Sequence, residues 1–494
     1  MMTTTSGESI PRFDPARRRR VTAALALVSA LAAFESTVVS TAMPTIIGDL
    51  NGLSLYSWVF SLYLLSATVM MPLFGSLADL YGRRRVLLTA LSLFLAGGLL
   101  CAFARSMPEL IAARALQGLG AAGLLPISLT VVADLYSLRE RARLQGLFST
   151  IWASAALLGP LLGAWLTLSF GWRSVFGINV PLGALAGYMI VREMRESRSA
   201  ATTPFDFVGA ALLVVAVSTL LFATLHRAGG DEMSHATRGL FVLVSLAAFA
   251  LLLREQAKSP HPLLPPSLFT RAETGAPYLC GVLLGTTIYG VDTFVPLFVQ
   301  GALGGSATAA GAVVTPVVLM WAVSAAVAAR GIVRFGFRKV ARWGALLVLL
   351  GFAILLACVL RGSSIPFISL ACALIGTGLG PSSLTQVMAV QHAAAERDRG
   401  VATSLVPFAR TIGGSVGVAA LGGILSAGLA SRLGPAAASA GSFLSAGHAD
   451  AATIAATAAL RAGIASALVP VFVILMALAV VNLGMTQFYP PEAG

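Results

Sequence analysis

Long apolar runs separated by short polar connections dominate the chain. Each run holds about 20 residues, which is the length that a helix needs to cross the hydrocarbon core of a membrane. The runs do not alternate polar with apolar positions and are too long for barrel strands, so only helices fit them. The pattern predicts an all-α membrane protein with about 14 transmembrane helices, at residues 21–43, 57–79, 86–105, 109–132, 145–168, 175–194, 207–226, 237–255, 275–299, 308–329, 341–360, 364–389, 401–427 and 463–486.

The composition agrees with a protein that lies mostly in lipid. Hydrophobic residues make up 57% of the chain and charged residues 11%, whereas a soluble domain carries about 25% charged residues. The net charge of +13 comes from arginines in the short connections, a topology pattern rather than a nucleic-acid-binding face. The cysteines lie inside apolar runs and the histidines are scattered, so we expect no disulfide, metal or other cofactor.

The distribution of lysine and arginine predicts the orientation. With the N-terminus inside, the cytoplasmic segments hold 24 of these residues and the outer segments hold 7. Because excess positive charge marks the cytoplasmic side, both termini are expected in the cytoplasm. Residues 1–20 are expected to form a disordered polar tail, and residues 428–462 a loosely ordered outer loop rich in Ala, Ser and Gly.

Two short motifs repeat with a spacing near 255 residues. They are residues 81–86, echoed at 335–340, and residues 140–143, echoed at 396–399. A repeat of this kind is typical of transporters in which two related bundles rock about a central site. We therefore expect two six-helix bundles with two extra helices between them, at residues 21–194, 207–255 and 275–486.

The connection after the second helix carries unusual chemistry for so short a segment. Gly75 and Gly82 permit close backbone approach or a positive φ, and Asp79 can meet a helix N-terminus and the guanidinium groups of Arg83 and Arg84. The alternative is a loop whose arginines only fix topology. The string from 75 to 87 resembles the signature loop between helices two and three of the major facilitator superfamily of transporters, and the resemblance implies a gating role.

Two charged residues stand inside apolar runs of the first half. Glu35 is the only acid of helix one, and a carboxyl removed from water is suited to binding and releasing a proton or to pairing with a cationic substrate. Arg114, in helix four, needs a partner or a wet cavity, unless it reaches the outer interface. The alternative for Glu35 is a structural pair with a neighbouring helix. The string around Glu35 resembles the helix-one motif of the fourteen-span drug/proton antiporter family, as do Trp172 and Asn179. The string around Arg114 resembles the superfamily's helix-four motif, and the resemblance implies a part in proton transfer.

Helix five contains Gly159, Pro160 and Gly163. The proline kinks the helix and the glycines permit close helix contact, so plain packing would explain them. The string resembles the antiporter motif of superfamily exporters, from which it departs at Ala155 and Ala164.

The second half holds fewer charges. Asp292 in helix nine is a second candidate for proton or cation binding, and Arg410 in helix thirteen would either face the cavity or pair with Asp292. Four further side chains are candidates for lining a substrate cavity, with packing as the alternative for each. They are Trp58, Tyr63, Trp152 and Gln386.

The resemblance extends from about residue 34 to 417 and implies a major facilitator fold that exports amphipathic, often cationic compounds in exchange for protons. The composition, rich in Ala, Gly and Arg, is typical of a high-GC bacterium, so we expect the plasma membrane as the location, with the chain a monomer in contact with lipid. The alternatives are a dedicated exporter of one endogenous product, such as a lipid, siderophore or antibiotic, and a non-transporting receptor on the same fold. No phosphate-binding loop or other feature of the sequence indicates an enzyme or an ATP-driven pump.

Overall fold

The computed structural model describes residues 14–50, 55–195, 205–224, 234–259, 262–305, 307–361, 364–433 and 451–490. In this part of the chain 14 helices are long and apolar enough to cross a membrane, and no strand occurs. They are α1 (Pro15–Leu50), α2 (Tyr56–Tyr81), α3 (Arg83–Phe103), α4 (Met107–Leu135), α5 (Leu138–Phe170), α6 (Asn179–Glu193), α7 (Phe207–Thr224), α8 (His235–Lys258), α9 (Ala272–Leu297), α10 (Ala307–Phe335), α11 (Phe337–Arg361), α12 (Ile365–Ala393), α13 (Arg399–Leu433) and α14 (Ala451–Met485). Short helical turns at Arg173–Gly177, Ser267–Thr270, Phe298–Ala302, Glu396–Asp398 and Thr486–Phe488 flank them. The predicted fold class is confirmed.

Helix α1 begins at Pro15, six residues before the predicted span, so the basic end of the expected tail is helical. Proline favours the first turn because its missing N–H would have no partner there. Arg18 pairs with Glu140 at 2.6 Å and Arg20 with Glu193 at 3.0 Å, which places this end of α1 against α5 and α6. The rest of the expected tail, residues 1–13, lies outside the described residues.

The expected outer loop at 428–462 is shorter than predicted. Helix α13 continues to Leu433 and α14 already begins at Ala451. Alanine is the best helix former, so an Ala-rich stretch beside a membrane helix extends it. Residues 434–450 lie outside the described part of the chain.

The helices of the two halves pack by the same plan. Helix α1 packs on α5 and α9 on α13, while α2 and α3 both pack on α4 and α10 and α11 both pack on α12. The connections before α3 and α11 each turn on a glycine with positive φ, 95° at Gly82 and 80° at Gly336. The sequence echo therefore corresponds to the same backbone turn in both halves.

The extra pair α7 and α8 lies beside the seam between the halves. Helices α7 and α8 pack on each other, and α7 also contacts α2 and α13. Leu213 and Val217 of α7 belong to one apolar cluster with Leu65 of α2, and Phe408 of α13 packs against that cluster. The pair therefore covers the α2–α13 contact on one side.

The halves meet mainly through α2 with α13 and α5 with α10. We call the end of the bundle that carries Arg18, Arg83, Arg141, Arg338 and Arg399 the basic face. Contacts between the halves at this end include the amide of Gln391, which donates to the carbonyl of Leu129 at 3.4 Å. The two apolar clusters nearer the opposite face are each built from one half alone. The halves are thus closed against each other at the basic face.

Candidate functional site

Asp79 joins the two halves at the basic face. Its carboxylate pairs with Arg83 at 2.7 Å and accepts the backbone N–H groups of Gly400 and Val401 at 3.0 and 2.9 Å. Those amides lie in the first turn of α13, where unpaired N–H groups and the helix dipole favour an anion. One carboxylate of the first half therefore caps a helix of the second half.

A chain of ion pairs continues this contact. We call this chain, together with Asp79 and its contacts, the latch. Arg83 also contacts Asp134 at 3.2 Å, and Asp134 pairs with Arg399 of α13 at 2.8 Å. Gly75 and Gly400 face each other there, because a Cβ on either would lie 2.7 Å from the other's carbonyl oxygen. The predicted grouping of Gly75, Asp79, Gly82 and Arg83 is thus present in space, with Asp134 as a member that the sequence did not single out.

Arg84 does not take part in the latch. It donates to the carbonyl of Val191 at 2.7 Å, within the first half, because consecutive side chains on a helix point about 100° apart. The equivalent connection in the second half carries Val333 in place of Asp79, and its Arg338 donates to the carbonyl of Tyr489 at 3.0 Å. The latch is therefore asymmetric, because both of its acids, Asp79 and Asp134, belong to the first half.

Glu35 and Arg114 form an ion pair in the interior of the first half. Their Oε1 and Nη1 atoms are 2.6 Å apart and each side chain is 1% exposed. Asn179, the first residue of α6, donates to the other carboxylate oxygen at 2.5 Å, and Arg114 also donates to Gln117 at 2.7 Å. The Arg114 side chain is buried among these partners and does not reach the outer interface. A buried arginine needs such partners, because an unpaired buried charge is costly.

Tyr63 of α2 covers this ion pair. The Arg114 guanidinium lies 4.0 Å from the centre of its ring, within the range of a cation–π contact. Of the residues around the pair, Asn179 and Gln117 were not proposed as site residues. An amide side chain in an apolar run is uncharged, so it lacks the high cost of membrane burial that makes a charged residue a candidate from sequence.

The glycines of helix five form the contact between α5 and α1. A Cβ on Gly159 would collide with Thr37, and a Cβ on Gly163 would collide with Thr41 and lie 2.7 Å from the carbonyl of Val38. The Thr37 hydroxyl donates to the carbonyl of Ala155 at 3.0 Å. Pro160 lies inside α5 between the two glycines. These residues hold the half of α1 that carries Glu35 against α5.

Substitution of Gly163 by leucine is expected to destabilise the protein by about 1–3 kcal/mol, because backbone atoms of α1 cannot yield to the new side chain. The measurement is the melting temperature of purified protein in detergent. Gly239→Leu is the control, since nothing lies within 4 Å of a Cβ at that helical position. An equal loss in both variants would contradict the packing role of Gly163.

The candidates of the second half do not pair with each other. Arg410 donates to Gln386 at 3.2 Å, and Asp292 forms no ion pair within the described residues. A Cβ on Gly285 of α9 would meet the carbonyl of Arg410, and Tyr289 packs against Gly414, so α9 and α13 run side by side in the same direction. Asp292 follows Gly285 by seven residues and lies about 10 Å nearer the opposite face. The alternative of an Arg410–Asp292 pair is therefore wrong.

The structure also shows the surroundings of two aromatic cavity candidates, Trp58 and Trp152. Trp58 packs on Phe222 of α7, with ring centres 5.9 Å apart, so it faces the extra helix pair rather than the space between the halves. Trp152 of α5 is 38% exposed, and its role in lining a cavity stays a prediction.

A second acid of α1, Asp49, lies beyond the membrane span and makes an exposed ion pair. It pairs with Arg173 at 2.9 Å, and the two side chains are 48% and 46% exposed. Hydrogen bonds from the Trp172 indole and from Arg173 hold the pKa of the Asp49 carboxyl below its ordinary value.

A group whose pKa is lower in the folded chain contributes stability above its unfolded pKa and loses it as the pH falls through the folded value. The melting temperature of wild type should therefore slightly exceed that of Asp49→Asn at about pH 7, and the difference should vanish in the acid range below about pH 4. The measurement is a series of melting curves of both proteins against pH. A difference that persists at acid pH would contradict the carboxylate's part in this contact.

The comparisons with known proteins agree with this geometry. Residues 25–418 match the sequence profile of the Major Facilitator Superfamily. The chain is 34% identical over 413 residues to the multidrug transporter protein MdtP of Bacillus subtilis (strain 168), covering 83% of this chain and 76% of that protein. It is 32% identical over 425 residues to multidrug resistance protein 3 of the same strain, covering 85% and 81%. The human organic anion transporter MFSD10 (TETRAN) superposes with a TM-score of 0.63 at 17% identity, covering 96% of this chain and 100% of that one, and this shows the fold alone.

Two related helical halves that meet at one face are typical of secondary transporters. The chain belongs to the Major Facilitator Superfamily. It is a multi-pass membrane transporter and not an enzyme, and its relatives include proteins named for multidrug transport and efflux.

Proposed function

We propose that the chain exports amphipathic compounds, cationic drugs among them, across a bacterial plasma membrane in exchange for protons. The observation that carries the proposal is the Glu35–Arg114 pair, fully buried at 2.6 Å inside a transporter half. The names of the relatives support drug export. The chain contains both halves, so it can work as a monomer.

The orientation follows from the charges of the basic face. Excess lysine and arginine marks the cytoplasmic side of a membrane protein, so the basic face, the N-terminus and the end of α14 lie in the cytoplasm. The latch then closes the cytoplasmic side, and Asp49 and Arg173 lie on the outer side.

Alternating access supplies the mechanism. With the latch formed, the central space between the halves communicates with the outside. Opening to the cytoplasm requires Asp79 to leave the first turn of α13 and requires the Asp134–Arg399 pair to separate. The substrate binds from the cytoplasmic side while the latch is open. The latch then forms again with the substrate bound, and the substrate leaves to the outer side.

The coupling proton acts through Glu35. Protonation of this carboxyl removes the negative charge that holds Arg114, whose remaining partners are Gln117, the Val59 carbonyl at 3.5 Å and the ring of Tyr63. Rearrangement of Arg114 changes the packing of α1 against α4, and the charge state of Glu35 thereby biases which conformation is stable. Gly159 and Gly163 transmit the shift of α1 to α5, which contacts α10 of the second half.

The test uses everted membrane vesicles energised to an acid interior, with a pH-quenched dye that reports the gradient. Addition of ethidium is expected to dissipate part of the gradient in vesicles that contain the protein, and not in vesicles that lack it. A correctly inserted protein that ignores ethidium and a wider panel of cationic compounds would contradict multidrug export and favour a dedicated exporter of one product.

A further inference from the structure

The second half holds an arginine, Arg410, that forms no ion pair with any acid that the structure describes. Arg410 is only partly exposed, its Nε atom has no hydrogen-bond partner among the described residues, and the contact seen for its guanidinium is the neutral amide oxygen of Gln386. The two arginines that are buried in the described part of the chain each have an acid: Arg83 has Asp79 and Asp134, and Arg114 has Glu35. An arginine without a counter-ion in a membrane interior calls for one.

The guanidinium lies between α13, α10 and α12 of the second half. Its carbon lies 5.9 Å from the ring centre of Trp321 on α10, and it bonds to Gln386 on α12. Helices α13 and α10 are the two helices of the second half that contact the first half most extensively. A side chain that reaches from one of them toward the other therefore lies on the side of the second half that meets the first half.

The residues around Arg410 have partners of their own, but none of these neighbours carries a negative charge that would neutralise the guanidinium. Gln386 is 1% exposed and also interacts with the buried side chain of Tyr489. The Trp321 indole donates to the hydroxyl of Ser383 at 2.9 Å, which fixes the ring beside the guanidinium. The acid of α9, Asp292, lies about two turns nearer the opposite face, while side chains on a helix lean toward its N-terminus and carry the Arg410 guanidinium away from it.

We propose that Arg410, with Gln386 and Trp321, binds a carboxylate or similar anionic group of an amphipathic substrate. The guanidinium offers free N–H donors in the planar arrangement that a carboxylate accepts, and the Trp321 ring supplies an apolar face for the rest of the molecule. The inference rests on the proposed transport function and extends its substrates to zwitterionic and anionic compounds. In this proposal the buried Glu35 binds and releases the proton, and Arg410 binds the anionic group of the substrate.

The test compares dansylglycine, a carboxylate, with its neutral amide, dansylglycinamide. Their affinities for purified full-length protein in lipid nanodiscs are measured by the change in dansyl fluorescence. Wild type is expected to bind the acid at least about tenfold more tightly than the amide, as charge-assisted hydrogen bonds imply. Arg410→Gln should lose this preference and keep its affinity for the amide, and Arg410→Lys should retain part of the preference. Arg330→Gln, an exposed arginine of α10 in the same half, should match wild type.

Equal binding of acid and amide by wild type would overturn the inference. So would an equal loss of both ligands in Arg410→Gln, which would show that the residue only supports the fold. Dissipation of the proton gradient by ethidium is measured in parallel, so an inactive subsite is distinguished from an inactive transporter.

Discussion

Asp79→Asn is expected to slow turnover by about tenfold or more while the protein still folds. The carboxylate makes three contacts at once, with Arg83 and with the amides of Gly400 and Val401. Asparagine keeps an acceptor but loses the charge, and a hydrogen bond to a charged group contributes about 1.5–3 kcal/mol. That free energy is lost only from the conformation closed at the basic face, so the closed state becomes rarer by a similar factor. The measurement is the ethidium-driven rate of gradient loss per molecule of transporter.

A labelling experiment tests the same change without transport. Ser404 is fully buried where α13 meets Gly75 of α2, and all four native cysteines are buried, so Ser404→Cys provides a reporter with low background. A maleimide added from the cytoplasmic side should react faster with this cysteine in the Asp79→Asn background, because the contact opens more often.

Glu396→Gln is the matched control for the latch. This acid lies three residues before Arg399 on the same connection and is exposed. It should leave both transport and labelling unchanged. Normal turnover of Asp79→Asn at normal expression, together with unchanged labelling, would contradict the latch.

The sequence predicts the helices and the repeat well because the membrane restricts the possible structures. Without water to bond the backbone, each long apolar run must be a helix, and fourteen runs become fourteen helices. The ends are less certain, as α1 shows, because Arg18 and Arg20 extend the helix through carboxylates of α5 and α6 that a local pattern does not reveal.

The latch could be predicted only on one side. The string around Asp79 carries a recognisable concentration of charge, but its partners in α13 are about 320 residues away in the chain. Asp134 closes the network from the end of α4, where one acid at a helix end attracts no notice. The contact of Arg84 lies within the first half instead, since adjacency along the chain does not put two side chains on the same helix face.

The interior charges show the same limit. Glu35, Arg114, Asp292 and Arg410 are recognisable because a charge inside an apolar run is costly. Which of them pair depends on how far along the membrane axis each lies, and that level follows from helix packing rather than from the pattern. Glu35 and Arg114 lie at the same depth along the membrane axis, whereas Arg410 and Asp292 lie at different depths.

Glu35→Gln is expected to reduce proton-coupled transport to the level of vesicles that lack the protein. Glutamine can still accept from Arg114 and lie beside Asn179, but it cannot exchange a proton. The substitution also leaves Arg114 buried without a counter-ion, which costs about 3–5 kcal/mol in a buried pair. A fall in melting temperature should therefore accompany the loss of transport, and the two effects have to be separated.

The control for a general effect of acid loss is Asp49→Asn. Asp49 belongs to the same helix and also pairs with an arginine, but both side chains of that pair are nearly half exposed. Exposed ion pairs contribute little to stability because water screens them, so this variant should transport normally.

The double variant Glu35→Gln with Arg114→Met separates stability from coupling. Replacing both members of a buried ion pair by residues without charge is often neutral or stabilising, so its melting temperature should recover toward that of wild type. Transport should stay at background, because no group remains to carry the proton. Recovery of transport together with stability would show that the pair is structural and that the coupling proton binds elsewhere, with Asp292 as the next residue to test. Stability that recovers without transport shows that coupling itself needs the Glu35–Arg114 pair, because the charge imbalance has then been removed and the loss of transport no longer reflects a loss of folding.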